Sequence, residues 1–339
     1  MLANFVSGTP AAAFGFLPTG TRCHNGPVWP IWPSRFQLFR ANVPVACRLL
    51  WRPVLLSVMT PFASQDFGFQ VDDRRATARD AADMADDWAA VPQMFRALRP
   101  LPPPWEERFG PLKCGAVDDL VVVGQFGQSL DGRVATETGH SHYINGPAGL
   151  AHLHRLRALV DVVVVGVSTA LADNPQLTVR HVGGPCPARA VIDPRGRMRA
   201  DARMFADDGV RRLAITAKGT RPELPAGVER VSLPAADGTI APATILAALA
   251  ARGFRRMLIE GGSHTVSCFL AAGCLDRLHI VVAPIILGAG RGGVALAPVA
   301  SCDEALRPPM RLHRLDGEVL FDCDLSGRRI SVGRANRSM

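Results

Sequence analysis

Three stretches of the chain combine glycines, hydroxyls and charged side chains densely enough to build a ligand site. The second of them, Gly166 to Arg180, is the richest: it places Ser168, Thr169, Asp173, Asn174 and Arg180 within 13 residues. Hydroxyls, a carboxylate and an amide suit the ribose of a nucleotide, and a guanidinium pairs in bidentate fashion with phosphate or carboxylate. Capping explains part of the same set, with Ser168 or Thr169 as N-cap and Asp173-Asn174-Pro175 as a turn, but it gives Arg180 no task. The third stretch, Ile259-Glu260-Gly261-Gly262-Ser263-His264-Thr265, reads as a strand end, a glycine pair and a helix start. Free N–H groups in such a first turn form an anion site suited to a pyrophosphate. A tight connection capped by Ser263 would use the same residues, yet Glu260 at the strand end still needs a partner. The first stretch, Gly127 to Arg133, has glycines that let backbone approach a ligand or simply make a turn.

Other candidates are weaker. Gly288-Ala289-Gly290-Arg291-Gly292-Gly293 fits the spacing of a dinucleotide fingerprint, but it neither follows a first strand nor opens a long helix, so it reads as a glycine loop. His152 and His154 are two apart on a predicted helix, face different directions and chelate poorly together. Tyr143 is the only tyrosine and precedes that helix, where it stacks on a nicotinamide or pyrimidine, or packs in the core. The eight cysteines (Cys23, Cys47, Cys114, Cys186, Cys268, Cys274, Cys302, Cys323) contain no C-x-x-C pair, which disfavours a metal site or a disulfide framework.

Alternating strands and helices must position these groups. Leu120–Phe126, Val162–Val165, Ala188–Ile192, Leu213–Thr216, Val228–Leu233, Met257–Ile259, Leu278–Ala283 and Ile285–Leu287 read as strands. Helices are expected from Gly146-Pro147 to Leu159, over Ile245–Ala251 and over Thr265–Ala272. Arg311–Leu315 and Val319–Leu325 flank Asp316-Gly317, a hairpin signal. The class is α/β, with a mostly parallel sheet and an antiparallel C-terminal edge. In such sheets ligands bind beyond the carboxyl ends of strands, where all three stretches fall.

The 339 residues suffice for more than one average domain. Residues 1–60 carry five arginines and no acid and read either as an organelle transit peptide or, the favoured expectation, as residues upstream of a translation start at Met59. Residues 61–115 read as a helical extension spaced by Ala81, Met84, Trp88, Val91, Met94, Phe95 and Leu98, then a linker, Arg99 to Glu106. Residues 116–328 form the main domain and 329–339 a tail. Beyond residue 60 the chain holds 33 basic and 30 acidic side chains, so the net charge of +8 is mostly a property of the leader and nucleic-acid binding is not expected. No apolar run reaches membrane-spanning length, and a cytoplasmic location is expected.

Taken together, S-L-D-G-R, L-R-A, G-x-x-T-x-L-A-D-N-P-x-L-T-V-R and I-E-G-G, with the loop around Ser141 and Tyr143, resemble the RibD C-terminal-domain family over about residues 117–327. The resemblance implies a dihydrofolate-reductase-like fold and the NADPH-dependent pyrimidine reductase activity of riboflavin biosynthesis. That reaction reduces the ribosyl group of 5-amino-6-(5-phosphoribosylamino)uracil to the ribityl form, with hydride delivered to C1′. By resemblance, Gly127, Tyr143, Thr169, Asp173 and the segment Gly262, Ser263, His264, Thr265, Val266, Ser267 and Cys268 match cofactor positions. Ser141, Arg157, Leu177, Arg180 and Glu260 match substrate positions, with Arg157 and Arg180 suited to the phosphate and Glu260 or water to the general acid. Thr216 and Lys218 are candidates for a 2′-phosphate contact. Homodimerisation is implied as well.

The chain departs from the family in two places. Gln125 stands where bifunctional members often carry Lys, and residues 1–115 contain neither H-x-E nor P-C-x-x-C, so deamination is not expected. A pterin reductase, and a nucleotide-binding protein without catalysis, are the alternative functions.

Overall fold

The computed structural model describes residues 69–71, 87–141 and 144–335. In chain order the main elements are β1 (Phe69–Val71), α1 (Val91–Arg96), α2 (Trp105–Phe109), β2 (Val121–Ser129), β3 (Arg133–Ala135), α3 (Pro147–Leu159), β4 (Val162–Gly166) and α4 (Val167–Asp173). They continue with β5 (Ala188–Ile192), β6 (Arg212–Ala217), β7 (Val228–Leu233), α5 (Pro242–Ala250), β8 (Arg256–Glu260) and α6 (Ser263–Ala271). The last are β9 (Arg277–Ala283), β10 (Arg291–Gly292), β11 (Met310–Leu315), β12 (Glu318–Asp324) and α7 (Val332–Ala335).

Ten strands form one sheet in the order β1-β11-β12-β9-β2-β8-β4-β5-β6-β7. From β9 through β7 neighbours run parallel, while β12 pairs antiparallel with both β9 and β11. The turn at Asp316-Gly317 has φ of +37° and +86°, the positive values that a tight primed hairpin demands.

The valine run shows how the sheet divides the core. Val162 and Val164 join Leu246, Leu249 and Phe269 of α5 and α6 on one face. Val163 and Val165 join Leu156 and Leu159 of α3 on the other. Successive strand side chains point to opposite faces, so a strand covered on both sides is apolar at every position.

Two expectations are corrected. Arg99 to Glu106 is no linker: Leu101 and Trp105 are buried with Trp88, Phe95 and Phe109 against α3. The prolines turn the chain back, with the Trp105 N–H donating to the Pro102 carbonyl at 2.9 Å. Ile285–Leu287 is not a strand, because Pro284 interrupts the run and the Asp131 carboxylate takes the N–H groups of Leu287 and Gly288 at 3.1 and 2.8 Å. Of the predicted helical stretch before residue 98, only α1 and the turn at Trp88 are described; Ala81 and Met84 lie outside the described residues.

Candidate functional site

A cavity of about 710 Å³ opens along the carboxyl ends of β2, β8, β4 and β5. The strand ends give it Gln125, Gly127, Gly166, Ile192 and Glu260; α4 gives Thr169 and Asp173; the start of α6 gives Ser263, His264 and Thr265.

Its most buried charged feature is an ion pair. Arg157 on α3 donates from Nε and Nη2 to the two oxygens of Glu260 at 2.7 and 2.6 Å, and from Nη1 to the Thr178 carbonyl at 3.0 Å. Both residues are about 5% exposed. A bidentate pair in a desolvated setting fixes both side chains, and it survives burial only because the remaining donors also find acceptors.

The glycine pair before α6 forms a cradle. The Gly262 N–H donates to Thr169 Oγ1 at 2.8 Å, and a Cβ at Gly262 would lie 2.7 Å from that oxygen. Gly262 is the N-cap of α6 and supplies no side chain, just as Gly166 caps α4; neither Ser263 nor Ser168 nor Thr169 acts as a side-chain cap. Thr169 instead ties the two helix starts together. A backbone stripped of side chains at a helix N-terminus is what a pyrophosphate requires, so these residues fit a dinucleotide. Across the cavity, Gly127 leaves room for Asn145, whose Oδ1 would lie 1.4 Å from a Cβ there. Asn145 in turn donates to Glu318 Oε1 at 2.8 Å.

Most of the expected residues meet in this cavity: Gly127, Ser141, Arg157, Thr169, Asp173, Leu177, Glu260, Gly262, Ser263, His264, Thr265 and Cys268 all line it. Tyr143 lies outside the described residues. Val266 and Ser267 are not on the wall: Val266 is buried in the core, and Ser267 Oγ accepts from the Ala295 N–H at 2.9 Å. Arg180 is also absent from the wall; its side chain is exposed and donates to Gln176 Oε1. Thr216 is fully buried and Lys218 exposed, and neither lines the cavity. Among the described residues no cluster of three or more His, Cys, Asp or Glu is placed to hold a metal, and no helix is long and apolar enough to cross a membrane.

Sequence reasoning missed a polar row behind the wall. Strand register sets Glu260 beside Gln125, Gln125 beside His279, and His279 beside Asp322. His279 Nδ1 lies 3.1 Å from His152 Nε2 of α3, and His279 Nε2 lies 3.0 Å from Asp322 Oδ1. Arg277 donates to the same Asp322 oxygen at 2.7 Å. Burial would raise the Asp322 pKa, but His279 and Arg277 hold its carboxyl well below the usual range. Burial first, then the charges of His279 and nearby arginines, pushes His152 far below the ordinary histidine value. His154 is pushed down to about 3, again by burial first and then by Arg157, and its Nδ1 accepts the Arg180 N–H at 2.9 Å. His152 and His279 stand 127 residues apart in sequence and Arg277 and Asp322 45, so no local pattern announces them. Arg197, in the loop after β5, and Arg291, in the short strand β10, are on the cavity wall and were missed for the opposite reason, since isolated arginines have no distinctive spacing.

Residues 121–312 match the model of the RibD C-terminal domain family. The chain is 32% identical over 201 residues to the 2,5-diamino-6-ribosylamino-4(3H)-pyrimidinone 5′-phosphate reductase of Methanothermobacter thermautotrophicus, covering 57% of this chain and 92% of that protein. It is 33% identical over 190 residues to the riboflavin biosynthesis protein RibD of Mycobacterium tuberculosis, covering 55% of this chain but only 48% of that one. Among solved structures, a diaminohydroxyphosphoribosylaminopyrimidine deaminase/5-amino-6-(5-phosphoribosylamino)uracil reductase from Thermotoga maritima superposes with a TM-score of 0.54 at 26% identity, over 60% of this chain and 56% of that one.

Proposed function

Since the chain belongs to the RibD C-terminal domain family, we propose that it reduces the ribosyl group of a 5-amino-6-(5-phosphoribosylamino)pyrimidine to the ribityl form at the expense of NADPH. The observation that carries this reading is the single cavity that gathers Gly127, Thr169, Asp173 and the Gly261-Gly262 cradle around Glu260 and Arg157.

A reduced nicotinamide, when bound, supplies the hydride. The protein's own contribution is placement. The start of α6, with Ser263, His264 and Thr265, would hold the pyrophosphate. Glu260, fixed by Arg157, presents its carboxylate edge to the sugar and accepts hydrogen bonds from substrate hydroxyl or amino groups. Addition of hydride at C1′ must be matched by one proton. Both Glu260 oxygens already accept from Arg157, so water entering the cavity is the better source. Gln125, buried at the cavity wall, offers an amide donor and acceptor where an ammonium would offer only donors.

Two pyrimidines fit the reading. The uracil form is the substrate named for the Thermotoga maritima protein. The 2,5-diamino form is favoured by the relative that this chain covers over 92% of its length. Oxidation of NADPH followed with each pyrimidine separates them: turnover is expected with at least one, and its collapse in Glu260→Gln ties it to this cavity. No turnover with either, while NADPH still binds, moves the search to pterins. A cytoplasmic homodimer that contacts neither nucleic acid nor membrane completes the proposal, with sedentation-free mass measurement by light scattering as the check on the dimer.

A further inference from the structure

The space over Gly127 is filled by the protein itself. A Cβ there would lie 1.4 Å from Asn145 Oδ1, 2.5 Å from its Cγ and 3.0 Å from its Nδ2. The glycine therefore makes room for Asn145 first. A ligand at this end of β2 meets the amide of Asn145, which lines the cavity beside Gly127 and Ser141.

Which end of that amide faces the ligand is decided by its neighbours. Nδ2 donates to Glu318 Oε1 at 2.8 Å and to the Val281 carbonyl at 3.3 Å. A carboxylate and a carbonyl can only accept, so an amide turned over would set its oxygen against two others. Both amide protons are thereby spent, while Oδ1 accepts from no described residue.

Glu318 stands outside the cavity. It opens β12 just past the Asp316-Gly317 turn and is about 5% exposed. Its oxygens also take the N–H groups of Gly146 and Gly149 at 3.0 and 2.7 Å, where α3 begins. A Cβ at Gly149 would come within 2.7 Å of Oε2, so the helix is bare where the carboxylate docks. A negative charge at a first turn is favourable as a helix cap. Capping accounts for those two bonds, but it gives no task to an amide whose protons are held back and whose oxygen is left over at the cavity wall.

We infer that Asn145 Oδ1 accepts a hydrogen bond from the amino group of the nicotinamide carboxamide, and that Glu318 is a positioning residue acting through it. The inference rests on the reductase reading, in which the family resemblance matches Gly127 to the cofactor. The carboxamide is the only hydrogen-bonding substituent on the nicotinamide ring, so an acceptor held in one place limits the ring's rotation beside the sugar it reduces. Glu318 keeps that place occupied by oxygen rather than nitrogen.

The test is equilibrium binding, by calorimetry, of NADP⁺ and of its 3-acetylpyridine analogue, which carries a methyl where the carboxamide has its amino group. The full chain is compared with Asn145→Leu, with the smaller variant Asn145→Ala and with Glu318→Gln. The unaltered protein should prefer NADP⁺ roughly three- to ten-fold, the size of one hydrogen bond. That preference should vanish in both Asn145 variants and shrink in Glu318→Gln, although Glu318 touches no ligand. A purely structural Glu318 would weaken both nucleotides alike and leave their ratio intact, which overturns its positioning role. An unchanged ratio in the Asn145 variants, or no preference in the unaltered protein, overturns the contact. An unchanged ratio joined to a higher KM for the pyrimidine overturns it too, and gives Asn145 to the substrate. If the unaltered protein binds neither nucleotide, the cofactor reading itself has failed and the contact falls with it.

Discussion

The two faces of the central sheet are built from different chemistry. Toward α5 and α6 the sheet presents Val122, Phe126, Val164 and Leu278, an apolar layer. Toward α3, the same strands present Gln125, Glu260, His279 and Asp322 in one cross-strand row, facing His152 and Arg157. The first face supplies stability by excluding water. The second costs desolvation, offset only by mutual pairing, and what it supplies is fixed geometry beside the cavity. Chemistry and cohesion are thus separated by the thickness of a single sheet.

That separation has measurable consequences. The largest is expected from Asp322→Ala, which leaves His279 buried without its carboxylate and Arg277 with only the more exposed Asp324. Such a break costs about 3–5 kcal/mol. Denaturant midpoints should show the loss, and kcat should fall in the fraction that remains folded. Leu249→Ala in α5 removes a fully buried side chain at a comparable cost of about 2–5 kcal/mol, yet should leave kcat per folded molecule unchanged. Equal losses of kcat in both variants would erase the distinction between the faces.

Next in size is Glu260→Gln. It keeps the volume and one acceptor but breaks the bidentate pair, and roughly a hundred-fold fall in kcat/KM is expected, about 2.7 kcal/mol. A fall confined to KM would move Glu260 from positioning the reacting group to simple binding.

A pH effect should follow from the buried histidines. His154 titrates at about 3 in the folded state, against an ordinary value near 6.5, and His152 is displaced in the same direction. Below the unfolded value, the unfolded chain takes protons that the folded one refuses. Stability should therefore be full above about pH 6.5 and decline as pH falls toward 3, by about 1.4 kcal/mol per pH unit for each such histidine. In His154→Gln, the decline of Tm between pH 7 and 5 should be shallower than in the unaltered protein. A parallel decline would show that His154 is not the group responsible.

The smallest effect is expected from Arg180→Ala. Its side chain is exposed and tied only to Gln176, so stability should change by less than about 0.5 kcal/mol. KM for the pyrimidine should also hold steady. A large rise in that KM would return Arg180 to the site by a movement that this geometry does not contain.

How much of this could be read from the residues alone differs between the faces in the same way. The valine run, the Asp316-Gly317 turn and the glycine pair before α6 are local signals, and each produced the element expected of it. Glu260 was legible because a carboxylate at a strand end needs a partner, but that the partner is Arg157 emerges only once α3 lies across the sheet. His279 and Asp322 were invisible: each sits in an ordinary strand, and only the β9–β12 register makes them a pair. The proline-rich stretch misled because prolines at a domain joint and prolines bending a buried strap look alike in composition. The apolar spacing of Leu101, Trp105, Phe109 and Leu112 was the available clue.

That strap has a practical consequence. Trp88 and Trp105 have ring centroids 5.2 Å apart, and Trp105 stacks on Phe109, which stacks on His152 at 5.7 Å. The guanidinium of Arg155 sits 4.6 Å from the Trp105 ring. An indole so close to the end of the polar row is a built-in optical reporter. With Trp29, Trp32 and Trp51 replaced by Phe, emission would come from this pair alone. Quenching or a wavelength shift on nucleotide addition would then register, without any label, whether events in the cavity are felt on the far side of α3.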